Sequence, residues 1–164
     1  MSTTIVEAGA DTVHWGYLSS DLSPVATVES GDLVDIVTVS GLPDVVAGSP
    51  YPIPPALLEV HERVTKRLIP GHICTGPIAV KGAHAGDVLQ VDIEEVTLDS
   101  DWAYTGIRPL KGALPDDFDE RHMTYVEIDR KNAIAKLPWD MELPLRPFFG
   151  VLCTAPPVAW GELS

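Results

Sequence analysis

The residues through which this chain can most readily bind a metal or move a proton near neutral pH are five histidines, at positions 14, 61, 72, 84 and 122. No two of them have the HxxxH or HExxH spacing that sets two imidazoles on one helical face. The GxSxG turn that exposes a serine nucleophile is missing, as are Walker and dinucleotide-binding glycine loops. Cys74 and Cys153 are far apart and lack CxxC spacing, which argues for isolated thiols in a reducing compartment rather than a disulfide framework or zinc knuckle. His72 lies two residues before Cys74, so in a strand the two would share a face, and a Cys/His thiol arrangement stands as a minority alternative.

His72 sits in GHICTGPIAVKGAHAGDVLQV, between a helix stop and a strand begun at Gly76 and Pro77. A loop held by rigid elements is a frequent setting for functional side chains, although a loop histidine bonded to backbone is the plainer reading. His14, in VHWGY, is either a half-buried histidine against Trp15 and Tyr17 or a site residue. Asp92 and Glu94 share one face of an alternating run. Such acids usually form the wet side of a sheet, but covered they would make a metal or acid–base pair.

The elements that must position these groups are short. Fifteen prolines and thirteen glycines exclude long helices over most of the chain. Runs rich in Val, Ile and Thr predict strands at 24–29, 33–39, 77–80, 88–97, 123–128, 132–136 and 149–154. In 88–97, Leu89, Val91 and Ile93 fall on one face and Gln90, Asp92 and Glu94 on the other. PPALLEVHERVTKRL at 54–68 is the exception: Leu57, Val60, Val64 and Leu68 have helical spacing after prolines suited to a first turn. Glu59 with Arg63 and Glu62 with Lys66 would be i,i+4 pairs on that amphipathic helix, His61 a solvated helix histidine, and Pro70 and Gly71 its stop. SGDLVDIVTV at 30–39 is echoed by AGDVLQVDIEEV at 85–96. Asp32 and Asp87 therefore read as turn residues, and two similar strand starts would suit two sheets packed face to face. Trp102 to Thr105, followed by Gly106, Ile107, Arg108 and Pro109, reads as a loop near a pocket, with Arg108 as a carboxylate or carbonyl clamp.

Size and charge narrow the function. A chain of 164 residues with 45% hydrophobic content fits one compact domain able to bury a core. A formal charge of −13 with scattered basic residues disfavours nucleic acid and anionic membrane surfaces as partners. The amino-terminal MSTTIVEAGADTVHW has no basic region followed by an apolar run, and the chain is read as cytoplasmic.

Three ordered blocks carry a resemblance. GHICTGPIAVKGAHAGDVLQVDIEEV is similar to the acetamidase/formamidase family segment of general form H, two or three residues, TGPI.V.GA..GD.L.V.I. Upstream, VHWGYLSSDLSPVATVESGDLVDIVTV resembles the family's start, and downstream LPLRPFFGVLCTAPPVAWGEL resembles its P..PF.GV segment. The resemblance implies a mostly β fold, a β-sandwich with helical additions, here the single amphipathic helix. It implies hydrolysis of a small carboxamide such as formamide or acetamide, with a divalent metal, zinc, activating water. His72 and Asp92 are the expected catalytic residues, and His72, Asp92 and His14 the expected metal ligands.

The chain departs from the family pattern at its far end. Family members continue through a GGN.D block and a GD.H...GDGE block expected to furnish metal ligands, whereas this sequence stops at Ser164. The chain is thus expected to be an N-terminal half that lacks part of its site. A separately encoded C-terminal-half chain, a cleaved fragment and a degenerate product are the three explanations. The first two imply an active hetero- or homo-oligomer; the third implies a noncatalytic β scaffold or binding subunit.

Overall fold

The computed structural model describes residues 3–68 and 71–164. It is mostly β, with ten strands and two helices longer than one turn among the described residues. The residues group into two compact units, each described by itself below. No helix among the described residues is long and apolar enough to cross a membrane.

The first unit comprises 1–43, 53–91 and 150–164. Its ladders join residues far apart in sequence. β1 (Thr3–Val6) runs parallel to β4 (Leu33–Ile36), β3 (Ala26–Val28) runs parallel to β6 (Ile78–Val80), and β2 (Val13–Trp15) runs antiparallel to β5 (Ile73–Thr75). Helix α2 (Pro55–Arg63) buries Leu57 and Val60, one turn apart, into a core shared with Val6, Val28 and the fully enclosed Trp15.

This helix ends five residues before the expected Leu68. Val64 is already extended, with φ −77° and ψ 104°. The physical cause is tertiary: Arg67 bridges to Trp15 in the β ladder, and Leu68 N donates to Trp15 O at 3.0 Å. The Arg67 guanidinium donates to the carbonyls of Val64 (2.6 Å) and His61, acceptors that a helix end leaves unmatched, and lies 4.6 Å from the Trp15 ring centroid. Lys66, outside the helix, pairs with Glu162 instead of Glu62; the Arg63–Glu59 pair forms as expected. Pro70, part of the expected stop, lies outside the described residues.

The second unit comprises 44–52 and 92–149. Its four-stranded antiparallel sheet has the order β10 (Met141–Pro144), β9 (Ile134–Leu137), β8 (His122–Asp129), β7 (Trp102–Ile107). β7 corrects the loop expected at 102–105: Trp102, Tyr104 and Thr105 pair with Glu127, Tyr125 and Thr124, and a long neighbouring ladder decides the matter. Asn132 belongs to a turn and not to β9, because its amide groups bond the Asp129 carboxylate at 2.7 and 3.0 Å. Helix α1 (Pro43–Gly48), unread in the sequence, buries Val45 and receives the Tyr125 hydroxyl on the Val45 carbonyl at 2.8 Å.

Two expected strands, 88–97 and 149–154, do not form. Neither segment is assigned to a strand. Leu89, Val91 and Ile93 remain 53%, 51% and 57% exposed, so alternation alone did not make a strand. The two Gly-Asp corners do form as read. Asp32 accepts from Glu29 N at 3.0 Å and Asp87 from His84 N at 2.8 Å, with Gly31 and Gly86 at φ +89° and +102°.

Candidate functional site

β2 and β5 bring the chain's chemistry-bearing residues into one ladder. His14 stands opposite Cys74, Trp15 opposite Ile73, and Gly16 N donates to His72 O at 2.8 Å. Directly opposed residues project to the same face of a sheet, so His14 and Cys74 are neighbours. The sequence suggested His72 as the partner of Cys74, and the His14 pairing was invisible because it spans sixty residues.

His14 is buried, with 8% of its surface exposed. Its Nδ1 lies 3.3 Å from the Gly76 carbonyl, which can only accept, so Nδ1–H donates and Nε2 keeps its lone pair. The ring meets Tyr17 edge-on at 5.8 Å, as the sequence suggested. Burial pushes the His14 pKa below its ordinary value, and the bond to Gly76 O only partly offsets this. A neutral, oriented imidazole with one free nitrogen is the form that ligates a metal or accepts a proton.

This shift has a stability consequence. The unfolded chain takes up a proton near its ordinary pKa of about 6.5, and the folded chain does so only at lower pH. The unfolded state therefore binds more protons in that window, and His14 lowers stability as pH falls from about 7 toward 5. Urea titrations across that range should show a shallower acid loss for His14→Gln than for the wild type; equal slopes would remove His14 as the cause.

His72 is exposed, its backbone rather than its side chain tying it to β2. Asp92 is also exposed and lies in the second unit, outside any strand. His61 is not simply solvated: Nε2 lies 2.8 Å from Gly41 O, and the ring packs 4.8 Å from Trp15. Among the described residues, no three His, Cys, Asp or Glu side chains gather closely enough to hold a metal. His14 has the character of one ligand, and the described residues do not complete a set.

Burial raises the Cys74 thiol pKa, with a smaller contribution from Cys153, so the thiol keeps its proton at neutral pH. Only a thiolate attacks efficiently, which weakens the thiol alternative. In the second unit, Arg108 lines an open cavity of about 440 Å3 with Lys111, Leu114 and Phe118. The nearby Asp44 carboxylate contacts Arg121 and lies 3.9 Å from Arg108.

Comparison with known proteins supplies the wider frame. A crystal structure described as an acetamidase from Bacillus halodurans superposes on 94% of the chain with a TM-score of 0.61 and 20% identity, which establishes a shared fold. Only 46% of that acetamidase is covered, so this chain spans about half its length. No curated protein sequence matches. The sequence pattern of the Acetamidase/Formamidase family, in contrast, matches residues 12–160, nearly the whole molecule, and the chain belongs to that family.

Proposed function

We propose that this chain is part of an amidohydrolase that cleaves a small carboxamide, such as formamide or acetamide, to ammonia or an amine and a carboxylate. The observation carrying this reading is the family match across residues 12–160. A divalent ion, zinc in our reading, would supply hydroxide near neutral pH and polarise the amide carbonyl. His14 is the side chain here best prepared to hold such an ion, being buried, neutral and fixed through Gly76 O. His72, which is exposed, is proposed to face a cavity that a partner polypeptide closes and supplies with the remaining ligands, and Asp92, also exposed, is kept as a proposed catalytic acid. Activity in this reading belongs to the assembled protein.

Ammonia release from formamide, acetamide and larger amides by the assembled, zinc-loaded protein tests the proposal. Chelation should abolish turnover, and alkylation with iodoacetamide should leave most of it, given the protonated Cys74. No release from any amide, or a loss on alkylation that chelation does not reproduce, would remove the metal hydrolase reading.

A further inference from the structure

The connection between β7 and β8 gathers positive charge in an otherwise acidic chain. The register that pairs Ile107 with His122 makes Arg108 and Arg121 the next residue outward on each strand. Both guanidinium groups reach Asp44 of α1, but unequally: Arg121 contacts the carboxylate directly, whereas Arg108 lies 3.9 Å from it, at the outer limit of an ion pair. One carboxylate thus faces two arginines, and Arg121 holds it. Lys111 has no side-chain partner among the described residues. Asp116, Asp117, Asp119 and Glu120 follow in sequence, yet all are exposed and none lines the cavity that Arg108 and Lys111 share.

Local backbone geometry brings these two cations together. Lys111 N donates to Arg108 O at 3.1 Å, which closes a four-residue turn and holds the two Cα atoms within about 7 Å of each other. Pro109 stands second in the turn and Leu110, at φ +59°, third, the pattern of a type II turn, whose third position ordinarily takes glycine. A leucine is strained there, and its side chain, 76% exposed, offsets nothing by burial. Such strain clusters at ligand sites, and here it sets Arg108 and Lys111 on one cavity of about 440 Å3. Ile107, Leu114 and Phe118 line the rest of that cavity with apolar surface, and its volume lies in the range of small-molecule pockets.

We infer that this cavity binds a small monocarboxylate with a short aliphatic tail. The Arg108 fork can donate to both carboxylate oxygens, Lys111 adds a point charge, and Ile107, Leu114 and Phe118 cover the tail. All of these residues belong to the second unit, so the site is complete within it. The inference goes beyond the proposed function and does not rest on it, because it concerns binding and involves neither a metal nor turnover.

Calorimetric titration of the protein with hexanoate, with backbone amide shifts followed by NMR, tests this site. Hexanoate should bind saturably and move the signals of residues 106–118. Hexanol, which keeps the tail and lacks the charge, should bind at least about tenfold more weakly, and so should acetate, which keeps the charge and lacks the tail. Arg108→Gln should weaken hexanoate by at least about tenfold and Lys111→Gln by about threefold, while Phe118→Ala should weaken hexanoate and leave acetate unchanged. Hexanol or inorganic phosphate binding as tightly as hexanoate would overturn the inference, as would saturation that leaves 106–118 unmoved, or no saturation by about 10 mM. The comparison of hexanoate with hexanol uses the unaltered protein, so it decides the matter even where Arg108→Gln fails to fold. No amide enters the measurement, and a failure of amide hydrolysis leaves its result standing.

Discussion

Gly16→Ala is expected to destabilise the first unit by more than about 3 kcal/mol, a large share of the roughly 5–15 kcal/mol that keeps a domain folded. Gly16 has φ +81°, where a side chain costs roughly 1–2 kcal/mol. A Cβ there would stand 1.8 Å from Leu68 O and 2.7 Å from its carbonyl carbon. Those are backbone atoms that cannot swing aside. Moving them strains the bonds from Leu68 N to Trp15 O and from Gly16 N to His72 O, which hold α2's exit against β2 and β2 against β5. Gly71 closes the other side, since a Cβ on it would meet Gly16 Cα at 2.2 Å. Gly31→Ala isolates the conformational cost, because Gly31 shares the left-handed φ but a Cβ there meets nothing within 4 Å. Guanidinium unfolding of both variants should separate them clearly; equal losses would show that close approach at Gly16 does not matter.

His14→Gln in the assembled protein is expected to lower amide turnover by more than about 100-fold and to reduce bound zinc. Glutamine can still donate toward Gly76 O, so the fold near β2 should survive, and circular dichroism checks this. His72→Ala should leave the denaturation midpoint unchanged, since the side chain is exposed, and lower kcat if it faces the closed cavity as proposed. Full activity and full zinc occupancy in His14→Gln would exclude His14 from the site.

Features governed by neighbouring residues were legible in the sequence. The corners at Asp32 and Asp87 depend on three-residue hydrogen bonds, and the start of α2 depends on prolines and on Leu57 and Val60. Features governed by distant residues were not. The helix stops at Arg63 because Trp15, more than fifty residues away in a different element, recruits Arg67. The run at 88–97 was read as a strand from alternation, but alternation records which face prefers cover and cannot supply a ladder. β7 was missed for the converse reason, its six-residue pairing with β8 overriding an ambiguous local pattern. At the candidate site, the sequence located His14, His72 and Cys74 as isolated residues; the ladder register placed His14 opposite Cys74 and made His14 the buried member.

Leu18 and Leu163 exchange backbone hydrogen bonds of 2.7 and 3.0 Å, and Lys66 reaches Glu162, so the final stretch is woven into the first unit. During synthesis, a nascent chain can close the hairpins of β7 to β10 as soon as they leave the ribosome. The earlier-made segments of the other unit must wait for residue 163 before their last bridge exists. Vectorial translation thus favours completion of the inserted unit before the one that began first.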